Sequence, residues 1–462
     1  MKKIISMLSF ALILSANAAT TDALSLTQAL EILKSQNLEI KAAKLDIESA
    51  KAEADTVSGM NWGKLTFTQD FARSNDAGNV FGFKLTSREA NFGDFGADEF
   101  MANFGLCQGG DMAACNAMYT DPPQNLNYPG SRNFFQSKLK YEVPLFTGFA
   151  ISSYTKIMNE MVRLKKLDKK KVFNEKSYEL RKSYYDMALL DSSIKNLTKI
   201  LNNINTLENT TKTMIDVGYA KRVDLLEVQA KKGNVERLLV EMEANKKLLY
   251  HYISFLLNQK VAKIIPPKSE VAMPNLSDKD VLKHNLDIQK ATTGLEIRRS
   301  MLKSSQAAYY PTVGAFGEVA TADNTFLGDA NDHKAYTVGA RLSWNLFNGG
   351  IDSAKIEKSK IEKMKMQSQL ALAQKGIALK LAKIRTEIES SDAQIASLEK
   401  ELALANAIYE NYEGRYKEKL VSMSDVIIKQ SAQIEKILQL QIAKNKRTEK
   451  IFALEKLANG DK

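Results

Sequence analysis

The residue types that most often carry chemistry are scarce and widely spaced in this sequence. Its histidines are His251, His284 and His333, and its cysteines are Cys107 and Cys115. Neither set has the spacing of a zinc site, and no acid, base and nucleophile recur in a convergent pattern. We therefore expect no catalytic residues, no metal site and no cofactor.

The two cysteines could form a disulfide bond. They are the only thiols of the chain and lie eight positions apart, at 107 and 115. The N-terminus predicts export, and an oxidising compartment favours pairing. We expect a Cys107–Cys115 bond. The alternative is that both are small buried residues that stay reduced.

The N-terminus has the three parts of a secretory signal in the required order. Lys2 and Lys3 are basic, residues 4–14 are apolar, and Ala16-Asn17-Ala18 is a cleavage site of small residues. This predicts a signal peptide over residues 1–18, with a short buried helix as the alternative. No later apolar stretch reaches the roughly 18 residues of a spanning helix, so the exported chain is either soluble or enters a membrane as strands.

Composition and charge favour long helices and argue against nucleic acid as a partner. Only 23 glycines and 8 prolines occur in 462 residues, of which 44% are apolar. Such a composition leaves few turns for an all-β fold. The formal net charge is +11. Basic residues nevertheless alternate with acidic ones along helices, as over residues 355–365, and do not cluster with aromatic residues.

The chain contains an internal repeat. Residues 145–148, Leu-Phe-Thr-Gly, recur as Leu-Phe-Asn-Gly at 346–349, and this offset of 201 also places Asp224 on Asp425. Residues 37–40, Asn-Leu-Glu-Ile, match 285–288, Asn-Leu-Asp-Ile, at an offset of 248. The first copy is therefore longer by about 47 residues, which we place in an enlarged loop.

Each copy has the same order of predicted elements. The first repeat, 19–262, has a helix at about 25–60, strands at about 63–144 with an enlarged loop at about 75–133, a long helix at about 150–217 and a return helix at about 223–258. A proline-containing connector spans 263–275. The second repeat, 276–462, has a helix at about 277–309, strands at about 312–345, a long helix at about 351–419 and a return helix at about 424–458.

The long helix and the strands both need partners outside their own element. Residues 150–217 contain neither glycine nor proline, and their apolar residues follow a three-four spacing. A helix of that length extends about 100 Å, so its own chain alone cannot bury it. The strands alternate apolar and polar residues, as Tyr336 and Val338 do with Thr337. A soluble half-buried sheet alternates in the same way, but four strands in an exported chain favour a barrel closed by several chains.

The joint order of these features, present twice, resembles the TolC-type outer-membrane efflux proteins over about residues 24–458. The motifs are Val-Pro-Leu-Phe-Thr-Gly at 143–148, Trp-Asn-Leu-Phe-Asn-Gly at 344–349, and the helix breaks at 217–224 and 416–425. The resemblance implies a mainly α fold with a β-barrel portion. Internally duplicated helix, β-hairpin, long-helix and helix units would form a trimeric 12-stranded outer-membrane β-barrel, continuous with a long periplasmic α-helical barrel.

The same resemblance implies the function and the partners. The chain would be the exit duct of a tripartite efflux or type I secretion system in the outer membrane of a Gram-negative bacterium, and it would not be an enzyme. Its partners would be two further copies, a periplasmic adaptor, an inner-membrane transporter and outer-membrane lipid. The alternative is a soluble periplasmic coiled-coil adaptor or scaffold, for which the long helices would suffice.

In this family the breaks between long and return helices form a periplasmic gate. Tyr416 and Asp425 match positions that constrict or charge the aperture, and Asp224 is the repeat equivalent of Asp425. Threefold rings of aspartate in a narrow pore would favour cations. The same aspartates are also expected to be the N-cap residues of the return helices, and the two roles are compatible.

The first copy adds charges of its own to the expected gate. Arg222 precedes Asp224 and Glu227 follows it by three residues. The second copy has Val421 and Ile428 where the family pattern has an arginine and a second pore acid. The family's ion-pair scheme therefore does not carry over to this chain.

Overall fold

The computed structural model describes residues 23–267, 270–326, 328 and 332–459, and the predicted signal peptide at 1–18 lies outside them. The chain divides into two units. A helical unit contains residues up to Ala50, Glu160–Glu296 and residues from Met364 onward, and a sheet unit contains Lys51–Asn159 and Ile297–Lys363. Each unit thus takes residues from both repeats.

The described residues form a mainly helical protein with a sheet portion, which confirms the mainly α fold with a β portion in the prediction. The first repeat contains α1 (Leu26–Gln36), α2 (Leu38–Gly59), β1 (Lys64–Ser74), α3 (Ala77–Thr86), α4 (Ala97–Gln108), α5 (Met112–Thr120), α6 (Gln124–Asn127), β2 (Arg132–Thr147), α7 (Ala150–Asp216) and α8 (Arg222–Leu257). The second contains α9 (Asp278–His284), α10 (Leu286–Gln306), β3 (Thr312–Asp323), β4 (Lys334–Ser343), α11 (Ile351–Lys417) and α12 (Met423–Ala458).

The duplication is visible in the helix lengths. The long helices α7 and α11 each have 67 residues, and the return helices α8 and α12 each have 36. Both return helices end in an asparagine with left-handed backbone, Asn258 at φ 50° and Asn459 at φ 58°. Asparagine tolerates this conformation better than most residues do, which explains why the helices end there.

The expected single helices at about 25–60 and 277–309 are each interrupted, so that prediction is wrong. The interruption falls on Asn37 between α1 and α2, and on Asn285 between α9 and α10. The Oδ1 of Asn37 accepts a hydrogen bond from the amide of Ile40 at 3.0 Å, and Asn285 binds the amide of Ile288 at 3.1 Å. Each asparagine therefore caps the second helix, which ends the first one.

The insertion expected as an enlarged loop at about 75–133 contains helices α3 to α6. Asp76 caps α3 through the amide of Asn79, and Asp111 caps α5. Cys107 at the end of α4 and Cys115 in α5 are disulfide-bonded, with Cα atoms 4.7 Å apart. Local caps and one covalent bond thus hold a segment whose sequence has no long apolar repeat.

The sheet is antiparallel with strand order β1-β2-β3-β4, so β1 and β4 are its two edges. Phe67, Leu139, Val319 and Tyr336 pair across the four strands as one row, and they are 65%, 46%, 55% and 82% exposed. The neighbouring row on the other face is polar and consists of Thr66, Lys140, Glu318 and Thr337. One face of the sheet is therefore apolar and exposed, and the other is polar.

The connector between the two repeats forms hydrogen bonds with the first residues that the structure describes. Leu24 pairs in parallel with Ile264, its amide donates to the Lys263 carbonyl at 3.0 Å, and its carbonyl accepts from the Ile265 amide at 2.9 Å. The buried Tyr184 hydroxyl donates to the same carbonyl at 3.1 Å. This arrangement fixes the first described residues against α7.

Candidate functional site: the two helix breaks

Each long helix ends in the same backbone turn within the helical unit. Gly218 after α7 has a φ of 78°, and Lys419 after α11 has a φ of 65°, so both are left-handed. In the first break the amide of Tyr219 returns to the Met214 carbonyl at 2.7 Å. This hydrogen bond belongs to a common helix ending that satisfies the last carbonyls. The chain can then reverse within a few residues and start the return helix.

Asp224 and Asp425 lie at the third residue of their return helices. The Oδ2 of Asp224 accepts from the amide of Lys221 at 2.7 Å, and that of Asp425 accepts from the amide of Ser422 at 3.1 Å. Lys221 and Ser422 are the N-cap residues. The aspartates thus accept a free amide at the helix start from the third helical position, not as N-caps themselves.

The Asp425 carboxylate has further partners at the second break. The Ser422 hydroxyl donates to its Oδ2 at 2.6 Å, and Lys429 and Arg415 lie close enough to act on it electrostatically. The hydrogen bonds from Ser422 hold the pKa of Asp425 below its usual value, and the two cations add to this effect. Asp425 is therefore a stable anion in the first turn of α12.

Tyr416 lies inside the packing between the two repeats. It is 5% exposed and belongs to an apolar cluster with Met423 and Val426. Its hydroxyl is 3.5 Å from the Thr211 Oγ1 of α7. Burial raises the pKa of the Tyr416 phenol, and the nearby Asp224 carboxylate raises it further. The structure thus brings Tyr416 near Asp224 across the repeats.

The remaining expected gate residues lie on the surface of the return helices. Arg222 is exposed and is the first residue of α8, and Glu227 is half-buried in the same helix. Ile428, at the family's second acid position, is 59% exposed. The two copies therefore differ in charge around the breaks, with more charge on α8.

Sequence reasoning missed a buried carboxylate in α7, about two turns before the break. Glu208 of α7 contacts Lys212 at 2.9 Å and Lys232 of α8 at 3.1 Å, and the amide of Gln229 lies 3.4 Å away. These contacts lower the pKa of Glu208 to about 2. At the repeat offset Glu208 corresponds to Tyr409, whose hydroxyl accepts from Gln430 at 3.4 Å. The repeat alignment could have revealed this pair of cross-helix links.

The site contains anions, cations and phenols but no ligand set for a metal. Within residues 23–267, 270–326, 328 and 332–459, no group of three His, Cys, Asp or Glu side chains is placed to hold an ion. None of the helices described in the structure combines the length and the apolar character that a bilayer crossing requires. The helix breaks instead place charged side chains at the turn between each long helix and its return helix.

Comparison with known proteins gives a consistent result. Residues 279–460 match the family model of outer membrane efflux proteins. No curated protein sequence matches the chain at a significant level. Solved structures share the fold at low identity. One is CusC, which changes conformation as it folds and forms a transmembrane channel (TM-score 0.78, 11% identity, 94% of this chain and 91% of that chain). Another is the outer membrane protein VceC of Vibrio cholerae (TM-score 0.75, 15% identity, 94% of this chain and 96% of that chain).

A third similar structure is the open state of the MtrE outer membrane channel of Neisseria gonorrhoeae, with a TM-score of 0.74 and 12% identity over 94% of this chain and 89% of that one. These proteins are transport channels, not enzymes. The family match falls on the second repeat, and the shared fold extends over both. The second repeat therefore matches the outer membrane efflux family, and the chain as a whole has the fold of these outer-membrane proteins.

Proposed function

We propose that three copies of this chain form the outer-membrane exit duct of a tripartite efflux or type I secretion system. Its substrates would pass from an inner-membrane transporter, joined through a periplasmic adaptor, across the periplasm and the outer membrane. The protein lies in the outer membrane with a periplasmic helical barrel. The chain itself would carry out no chemical reaction, and the transporter would supply the energy.

The exposed apolar face of the sheet is the observation that carries this proposal. Tyr336 and Val338 on β4 are 82% and 77% exposed, although water would favour their burial. In a bilayer this face would contact lipid, and the polar face with Lys140 and Glu318 would line an aqueous lumen. A soluble adaptor would have to cover the same apolar face, and the comparisons give that alternative no support.

The open edges of the sheet support assembly from several copies. Strands β1 and β4 each leave a row of backbone groups without a partner strand among the described residues. Unpaired edges inside a membrane are too costly to persist, so β1 of one copy would pair with β4 of the next. With four strands per copy, three copies would give twelve strands, enough to close a barrel.

The helix breaks supply the residues that we propose for the periplasmic end of the duct. Asp224 and Asp425 would form acidic rings, with Arg222, Glu227 and Tyr416 around them. Because Asp425 stays charged and hydrogen-bonded, its ring would attract cations without the side chain having to move.

Adjacent residues on β4 provide a matched test of the lipid-facing assignment. Val338→Lys would place a charge on the lipid face near the strand centre, at a cost of about 2–4 kcal/mol at the bilayer midplane. Thr337→Lys would place the same charge on the polar face. We expect the first variant to lose outer-membrane trimer and the second to keep it, as measured by fractionation and by trimers on unheated gels.

The wild-type protein should also give small, cation-preferring conductance in planar bilayers. A monodisperse monomer released by osmotic shock would contradict the proposed function. Equal loss of trimer in both lysine variants would contradict the assignment of the two sheet faces.

A further inference from the structure

The polar face of the sheet carries a phenylalanine among charged side chains. Phe316 on β3 pairs with Glu142 of β2 and with Gly339 of β4, in the row next to that of Lys140 and Glu318. A Cβ atom at Gly339 would lie 2.7 Å from the Cζ of Phe316, so the ring occupies the space that a side chain at position 339 would need. The glycine therefore lets the half-buried ring lie close to the backbone of β4.

Arg341 of β4 lies beside this ring on the same face. It pairs with Gly314 of β3, and its guanidinium carbon is 5.8 Å from the centre of the Phe316 ring. Among the residues that the structure describes, none forms a hydrogen bond or an ion pair with this exposed guanidinium. Glu142 acts on it electrostatically but is ion-paired with Lys140 at 2.8 Å. Arg341 thus keeps its hydrogen-bond donors available for a ligand.

The strands form an open hollow around these two side chains. Its volume is about 280 Å³, and Phe316, Arg341, Pro144 and Gly314 are among the residues that line it. The pairing of β2 with β3 shifts between Pro144 and Phe146, and such a bulge bends a strand locally. Glycine inside a strand often marks a place where a ligand approaches the backbone closely. The hollow therefore combines an aromatic ring, a cation and an accessible backbone.

These groups favour a ligand with two properties. A guanidinium binds a carboxylate, sulfonate or phosphate group through paired hydrogen bonds, and it repels cations. The ring of Phe316 favours contact with a second aromatic ring, stacked or edge to face. A molecule that carries both an anionic group and an aromatic ring would satisfy both side chains at once.

We propose that Phe316 and Arg341 form a binding site for aromatic anions on the wall of the lumen, and that the duct passes organic anions of this class. The proposal rests on the proposed function, because it requires the polar face to line the pore. The acidic rings would set the preference for small ions, whereas this site would act on larger solutes delivered by the transporter. Because the hollow is open, binding would be brief, as conduction requires.

The test measures block of single-channel current through the full-length protein in planar bilayers. The probe is 2-naphthoate, and acetate is the anion without a ring. We expect 2-naphthoate to interrupt the wild-type current and acetate at the same concentration to leave it unchanged. Arg341→Gln and Phe316→Leu should each raise the concentration needed for half-maximal block by roughly fivefold or more. Lys138→Gln is the matched control, because Lys138 lies on the same face but pairs with Glu318 at 3.5 Å.

The outcomes distinguish a binding site from a ring that only covers a glycine in the neighbouring strand. Unchanged block in Arg341→Gln, or in a trimer of Phe316→Leu, would overturn the site. An equal loss of block in Lys138→Gln would overturn it too, because the total charge of the lumen would then explain the effect. Arg341 is exposed, so its variant tests the site even if Phe316→Leu forms no trimer.

The wild-type recordings separate the site from the function on which it rests. Current that 2-naphthoate does not interrupt, or that acetate interrupts equally, would overturn the site and leave the duct intact. A wild-type protein that conducts no current would overturn the proposed function, and the site with it.

Discussion

Two buried asparagines each join three parts of the chain with one side chain. Asn37 donates to the Leu256 carbonyl near the end of α8 at 2.8 Å and accepts the Ile40 amide. Asn285 does the same with the Leu457 carbonyl of α12 at 2.9 Å and with its own second helix. A single residue type thus caps one helix and satisfies the last turn of another.

We expect Asn37→Ala to destabilise the protein by roughly 2–4 kcal/mol. The change removes a helix cap worth about 1 kcal/mol and leaves a buried carbonyl without its donor, at a cost of about 1–3 kcal/mol. Denaturation by urea, followed by circular dichroism in detergent, measures the effect. Ser35→Ala, which removes an exposed hydroxyl bonded to its own helix, is the control. Equal stability of the two variants would contradict the bridging role.

Glu208 should make stability depend on pH in acid. Its pKa is lowered from 4.5 to about 2, so its stabilisation is fully present above about pH 4.5 and is lost as the pH falls towards 2. Glu208→Gln should be less stable at pH 7 and lose less stability over that window. Melting temperatures at pH 7, 4.5 and 3 test this, with Glu241→Gln, at an exposed helix pair, as the control. A variant with the wild-type acid dependence would contradict it.

For single residues, the sequence predicted the equivalent positions in the two repeats better than it predicted the structural role of each side chain. The match of residues 37–40 with 285–288 placed Asn37 and Asn285 at equivalent positions of the repeat. The bridging role was not predictable, because the partner carbonyl of Asn37 lies 219 residues away. The prediction that Asp224 and Asp425 are N-caps is wrong, because Lys221 and Ser422 take that position and the aspartates lie at the third helical residue.

Among the elements, the long helices were the most predictable. The apolar residues of these helices recur at a regular helical spacing, and residues 150–217 lack glycine and proline. Local sequence and packing therefore both favour a continuous helix. The insertion between β1 and β2 was expected as an enlarged loop because the first copy is longer there by about 47 residues. Its short helices depend on caps and on a disulfide bond, which local propensity does not indicate.

The disulfide bond should matter for the insertion and not for assembly. Closing a loop of about nine residues stabilises by roughly 2–3 kcal/mol in the entropy model. Protein alkylated without reduction should carry no modified cysteine by mass. The Cys107→Ser/Cys115→Ser variant should still form trimers but be cleaved by protease near Phe104 to Pro122. Two alkylated thiols in the wild type, or loss of the trimer in the variant, would contradict this.

At the scale of the whole molecule, the residues proposed for the pore are acidic although the net charge of the chain is positive. The chain has a formal net charge of +11, yet each return helix has an aspartate in its first turn. Assembly by a threefold axis would repeat each of these acids around one opening. The total charge therefore does not predict ion preference, and the arrangement of a few residues would decide it.

The double variant Asp224→Asn/Asp425→Asn tests this arrangement. Asparagine keeps an oxygen that can accept the Lys221 and Ser422 amides, so we expect the trimer to persist while cation preference falls, because the rings would lose their charge. Reversal potentials in a KCl gradient measure the preference. Ser422→Ala is the matched control, since it removes the hydroxyl bonded to Asp425 and keeps the carboxylate. It should cost about 1 kcal/mol of stability and leave selectivity unchanged. If the double variant keeps its cation preference and loses only stability, the aspartates serve the helix starts alone and do not line the pore.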